Sequence, residues 1–157
     1  PGGPIISKTA VAGNPAATAF PRAWLDQDSL DFSFSGLKTA VVNCVNTFRR
    51  KGLPLPVADI CASFQEAVVE VLAGKTILAA RRNGTKQVVL GGGVASNLRL
   101  RQVMGERCAA EGLRLFVPAP VYCTDNAAMI GLAGFHRFRR GEILDPDADV
   151  YSRPQLH

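Results

Sequence analysis

Gln87-Val88-Val89-Leu90-Gly91-Gly92-Gly93-Val94-Ala95-Ser96-Asn97 is the stretch that decides the fold. Its first four residues form a short apolar run with β-branched side chains, as in a buried strand. The run stops on three consecutive glycines. Ser96 or Asn97 then supplies a side-chain oxygen able to cap a helix, expected to reach about residue 111 and to close at Gly112. Residues 113–117 read as a second strand, ended by Pro118 and Pro120. Strand, helix, strand in that order implies parallel strands joined by a crossover helix, so the fold class is α/β.

Upstream, residues 57–82 read as one long helix. Ile60, Phe64, Ala67, Val68, Val71, Leu72 and Leu78 keep near-helical spacing on one face. Gly74 is a weak point, costing ~1 kcal/mol relative to Ala. Arg81 and Arg82 suit the negative end of the helix dipole, and Asn83-Gly84 offers a left-handed cap. Residues 37–50 read as an earlier helix, stopped by Gly52, Pro54 and Pro56. Before it, Leu30-Asp31-Phe32-Ser33-Phe34 alternates apolar and polar, the period of a half-buried strand, which Ser35-Gly36 breaks. Residues 14–28 read as loop. Downstream, Thr124-Asp125 is expected to cap a last helix of small and apolar residues ending near Arg137, Arg139 and Arg140. The tail from Gly141 is polar. One core suffices, so residues 1–157 are expected to form a single unit with no internal boundary. The opening, Pro1-Gly2-Gly3-Pro4, is turn-forming and carries no initiator Met, which points to a fragment of a longer protein cut inside or just before a loop.

Composition excludes several classes. The chain has 157 residues, 47% hydrophobic and 20% charged, which fits a folded domain and not a disordered one. No apolar run approaches the ~20 residues of a membrane helix, and the start lacks the layout of a signal peptide. Cys44, Cys61, Cys108 and Cys123 lie 17, 47 and 15 positions apart, too far for a zinc knuckle or redox dithiol. Scattered thiols suggest a core role in a reducing compartment, so a cytoplasmic location is expected. The net charge is +5, and 13 of the 18 basic residues are Arg. Arginine pairs with phosphate in a forked manner, which suits an anionic partner; solvated helix ends would explain the same residues.

Three segments can carry chemistry. The glycines from Gly91 to Gly93 let the backbone approach a ligand, and free amides at a helix start favour anions; a tight strand-to-helix turn needs glycine too. The segment has neither GxGxxG nor a Walker lysine. Asn97 suits a ribose or base edge, or simply caps the helix. Cys123-Thr124-Asp125-Asn126-Ala127-Ala128-Met129 also follows a strand and opens a helix, so both segments point to one sheet edge. Asp125 can bind a metal, position water, hold a ribose or act as an N-cap. Phe32-Ser33-Phe34-Ser35-Gly36-Leu37-Lys38-Thr39 places hydroxyls and Lys38 where phosphate could sit, or where a lysine is solvated. Asp145, Asp147 and Asp149 alternate like a calcium loop but lack its glycine and distal glutamate.

Taken together, PGGP, FSFSGLKT, LGGGVASN and CTDNAAM, in this order, resemble the TsaD family of tRNA threonylcarbamoyladenosine transferases. The resemblance runs from Pro1 to about Gly141. It implies an actin-like ATPase lobe (ASKHA, ribonuclease H-like), a mixed sheet flanked by helices. This chain resembles the C-terminal lobe of a two-lobe protein whose N-terminal lobe it lacks. The family moves a threonylcarbamoyl group from threonylcarbamoyl-adenylate, derived from ATP, to the exocyclic amine of the tRNA adenosine beside the anticodon. By motif, Gly3 and Asn97 would contact the adenylate. Ser7 stands where the family often has an acidic residue on the ribose, so that contact would be weaker. Asp125 would bind a single iron or zinc ion, acting as Lewis acid on the threonylcarbamoyl carbonyl, and AMP would leave from the glycine loop. Ser35, Lys38, Gly92 and Gly93 are further candidates for phosphate or tRNA contact. The family's paired metal-binding histidines have no match in His136 and His157, so the chain alone should bind metal weakly and transfer nothing. Implied partners are tRNA and a TsaB-like protein, with no membrane. The competing readings are a lobe of an actin-like carbamoyltransferase or kinase, and a non-catalytic TsaB-like subunit.

Overall fold

The structure, a computed structural model, describes residues 2–24 and 29–148. Pro1, Asp149, His157 and part of the loop expected over residues 14–28 lie outside the described residues. The chain divides into two compact units, Pro1–Cys123 and Thr124–His157.

The first unit is built on α1 (Gly2–Ala10), α2 (Ser35–Arg50), α3 (Val57–Arg82), β1 (Gln87–Val89), α4 (Leu98–Ala110) and β2 (Arg114–Phe116). Upstream of α3, two expectations need correction. Residues 2–4, expected to form a turn, are instead the start of α1. Its glycines and proline fall in the first turn, where a missing N–H is not needed and proline's fixed φ suits a helix. Leu30 to Phe34 form no strand. Phe32 and Phe34 stack on each other, with ring centroids 6.3 Å apart. Their alternation is real, but strand pairing needs a neighbouring backbone. Ser35-Gly36 therefore opens α2 instead of breaking a strand.

The long helix α3 is the centre of the unit and packs against α1, α2, α4 and β1. No residue from 58 to 80 is exposed. The single apolar face expected for it is two faces. Val69, Ala73, Ile77 and Ala80 meet Val88 of β1 and Leu100, Val103, Met104 and Cys108 of α4. Ile60 and Ala67 meet Phe20 and Leu37. Each fully buried leucine here stabilises by about 1.5–3 kcal/mol relative to exposure. Gly74 has a physical reason to be glycine: a Cβ there would lie 2.2 Å from Trp24 Cη2. Lys75 is buried on the same helix. Its ammonium donates to the Asp31 carbonyl and lies 5.7 Å from the Phe32 ring centroid, which holds residues 31–32 against α3. Gly84, at φ +62°, forms the expected left-handed cap, with the Thr85 amide donating to the Ala80 carbonyl.

The two strands are parallel, Val88 opposite Leu115, and α4 is the crossover between them. Among the described residues this two-stranded parallel ladder is the whole sheet, so the mixed sheet expected from the resemblance is not formed by them. In the second unit α5 (Ala127–Arg139) is capped by Asn126, whose Oδ1 accepts from the Met129 amide at 3.0 Å. The expected cap, Thr124-Asp125, is thereby corrected to Asn126, the next residue along the chain. No helix among the described residues is long and apolar enough to cross a membrane.

Candidate functional site

The candidate site gathers around Asn97, where β1 has ended and α4 begins. Asn97 Oδ1 accepts from the Leu100 amide at 2.9 Å, so the residue does cap α4. Capping uses only its oxygen. Nδ2 donates to Gln65 Oε1 at 2.8 Å and to Ser7 Oγ at 3.4 Å. One side chain thus joins α1, α3 and α4: Asn97 is the cap, and its Nδ2 is held by partners from two other helices. Beside this triad lies a cavity of about 150 Å³ lined by Gly3, Ser7, Gln65, Asn97 and the apolar side chains of Phe64, Val68 and Leu72. Gly3, Ser7 and Asn97, separated by up to 94 positions, are therefore brought to one cavity. Its walls are apolar with convergent polar groups at one end, the usual make-up of a small-ligand site. The volume takes one ring or sugar and not a whole nucleotide.

The glycine segment is open to solvent. Gly92 has φ +83°, which a side chain rarely adopts, and a Cβ added there would meet nothing within 4 Å. Gly93 starts a short 3-10 turn, Gly93–Ser96, leading into Asn97. Arg101 ties this turn to the segment after β2. Its Nε donates to the Ala95 carbonyl at 2.5 Å, and Nη2 donates to the Pro118 carbonyl at 2.9 Å and contacts Cys123 Sγ at 3.2 Å. Both segments follow the carboxyl ends of parallel strands, the edge where such sheets bind ligands. Cys123 is buried under Arg101, which suits the expected core role of the thiols. Burial also pushes the Cys61 and Cys108 thiols up, away from the reactive thiolate. The cavity does not include Ser35, Lys38, Gly92 or Gly93. Ser35 and Lys38 stand exposed in the first turn of α2. Asp125 is exposed in the second unit, one residue before the α5 cap.

A family model described as tRNA N6-adenosine threonylcarbamoyltransferase, TsaD, matches residues 1–132. The chain belongs to the TsaD family. It is similar to proteins named tRNA N6-adenosine threonylcarbamoyltransferase from three bacteria. Identity is 53% over 162 residues with that of Desulfotalea psychrophila, covering 99% of this chain and 46% of the relative. It is 52% over 138 residues with that of Desulfitobacterium hafniense, covering 88% and 40%. It is 46% over 156 residues with that of Staphylococcus aureus, covering 99% and 46%. The chain thus spans less than half the length of these relatives.

For this TsaD-family chain a metal needs more than Asp125. Among the described residues no three His, Cys, Asp or Glu side chains come together, and a single exposed carboxylate does not hold a transition metal. The described residues therefore do not fit iron or zinc by themselves. Gln65 and Arg101 were not legible as site residues. Both sit inside helical periodicity, and only the fold brings Gln65 beside Asn97 and Arg101 beside the two loops.

Proposed function

We propose that the full-length protein transfers a threonylcarbamoyl group from threonylcarbamoyl-adenylate to the exocyclic amine of a tRNA adenosine beside the anticodon. The observation that carries this reading is the Ser7–Gln65–Asn97 triad over the cavity, within a chain of the TsaD family. In the reaction the new bond forms between the amine nitrogen and the carbamoyl carbon. The bond from that carbon to the phosphate oxygen breaks, AMP leaves, and the amine loses one proton.

On this reading Gly3, Ser7 and Asn97 hold the nucleoside part of the adenylate. The cavity suits the ribose or the base edge, and the Ser7 hydroxyl offers the ribose a weaker bond than a carboxylate would. Gly92 and Gly93 leave room for the phosphate beside the amides of the 3-10 turn. Ser35 and Lys38 are proposed as tRNA or phosphate contacts. Asp125 is proposed as one ligand of an iron or zinc ion whose other ligands come from outside the described residues. The actin-like two-lobe architecture, the cytoplasmic location and a TsaB-like partner belong to the same proposal.

The test is transfer of labelled threonylcarbamoyl from the adenylate to an unmodified tRNA transcript by the full-length protein. Asn97→Asp keeps the capping oxygen but removes the donor to Gln65 and Ser7. The expected result is transfer by the wild type and a loss of at least tenfold in kcat/KM for the variant, at unchanged melting temperature. Absence of transfer by the wild type would overturn the reading.

A further inference from the structure

We propose that the solvent face of α2, from Lys38 to Arg50, is a docking surface for the phosphate backbone of RNA. The inference rests on the tRNA reading above and adds the surface that reading leaves open. Leu37, Val41, Cys44 and Val45 turn one side of α2 to the core. Lys38, Val42, Asn43, Asn46, Arg49 and Arg50 are all exposed. At helical spacing these six fall within about 140° of arc, and Lys38 and Arg49 lie nearly in line, roughly 16 Å apart along the axis. Asn43, Asn46, Arg49 and Arg50 also border a shallow concavity of about 350 Å³.

Charge separates this face from most of the arginines elsewhere in the described residues. From residue 32 to residue 58 the sequence has no Asp or Glu. Arg22, Arg81, Arg99, Arg137 and Arg140 each face a carboxylate: Glu70, Glu111, Glu66 and, for the last two, Glu142. Arg101 is held by carbonyls. Among the described residues no carboxylate pairs with Lys38, Arg49, Arg50 or Lys51, and Arg50 reaches only the Thr47 hydroxyl at 3.5 Å. Two guanidinium forks and two lysine ammonium groups remain available to an outside anion. Asn43 and Asn46 between them add amide donors and acceptors, which match the sugar and phosphate oxygens of RNA. An apolar anchor, which a protein interface would bring, is limited to Val42.

The test measures binding of an unmodified tRNA transcript to the full-length protein over a range of salt. Each phosphate contact contributes about 0.7–0.9 to the slope of log affinity against log salt. Arg49→Ala/Arg50→Ala is expected to weaken binding about tenfold or more at low salt and to flatten the slope by about 1.5. Arg49→Lys/Arg50→Lys should keep most of the slope, which separates charge from folding. Arg137→Ala/Arg140→Ala, already neutralised by Glu142, should leave the slope nearly unchanged. Wild-type affinity and slope in Arg49→Ala/Arg50→Ala would overturn the inference while leaving the transferase reading intact. So would a dependence on these arginines seen for binding of a polyglutamate probe while tRNA binding stays independent of them. A wild-type protein that binds no tRNA would overturn both.

Discussion

From residue 58 to residue 80, α3 has no exposed residue; along the whole of α5, no residue is buried. Yet α5 is rich in apolar side chains, with Ile130, Leu132 and Phe138 each at least 60% exposed. The contrast separates composition from burial. A helix is buried by what the chain folds around it, and α3 has α1, α2, α4 and β1 as neighbours. The second unit offers α5 as its only regular element among the described residues, and one helix cannot form two packed layers. Even the charges differ in setting. Arg22 grips Glu70 of α3 with two bonds, 2.6 and 3.1 Å, whereas Arg137 and Arg140 share Glu142 in the open.

The contrast can be broken by matched substitutions in the full-length protein. The largest effect is expected from Ile77→Ala in α3, which should cost about 2–5 kcal/mol in urea unfolding by leaving a cavity against Val88 and α4. Gly74→Ala should cost about 1–3 kcal/mol, because Trp24 must move. The same change at Gly134 of α5, where a Cβ would meet nothing, should stabilise by up to about 1 kcal/mol through helix propensity. A loss at Gly134 comparable to that at Gly74 would mean α5 is packed after all. Glu70→Gln tests the ion pair through pH. The Arg22 guanidinium holds the Glu70 carboxyl below the usual carboxylate range, against the opposing effect of burial. The contribution is therefore complete above about pH 5 and fades as pH falls through the depressed pKa. The variant should lose less stability than the wild type between about pH 5 and pH 3, read from melting curves. The smallest effect is expected from Leu132→Ala in α5, within about 0.5 kcal/mol.

Legibility in the sequence followed the same division. The periodicity of α3, the start and stop signals of α2 and α4, the glycine caps at Gly84 and Gly112, and the parallel pair across a crossover helix are legible directly, because each rests on local sequence. What depended on distant neighbours could not. The alternation at residues 30–34 found no partner strand. The second face of α3 showed only where α4 covers it. Lys75 carries no local signal of burial, yet it is buried with the Asp31 carbonyl as its acceptor. In the site, Gly3, Ser7 and Asn97 were named from motifs, and the fold brings them to one cavity. Gln65 carries no motif of its own and was found only through its bond to Asn97.

The most direct measurement is binding of AMP, as the adenylate's nucleotide part, to the full-length protein by calorimetry, comparing wild type with Asn97→Asp. Wild-type binding should be measurable and weakened at least tenfold in the variant, with the melting temperature unchanged because the cap survives. Equal affinity in both proteins would contradict the claim that the Ser7–Gln65–Asn97 triad belongs to a nucleotide site, and would leave Asn97 a helix cap alone.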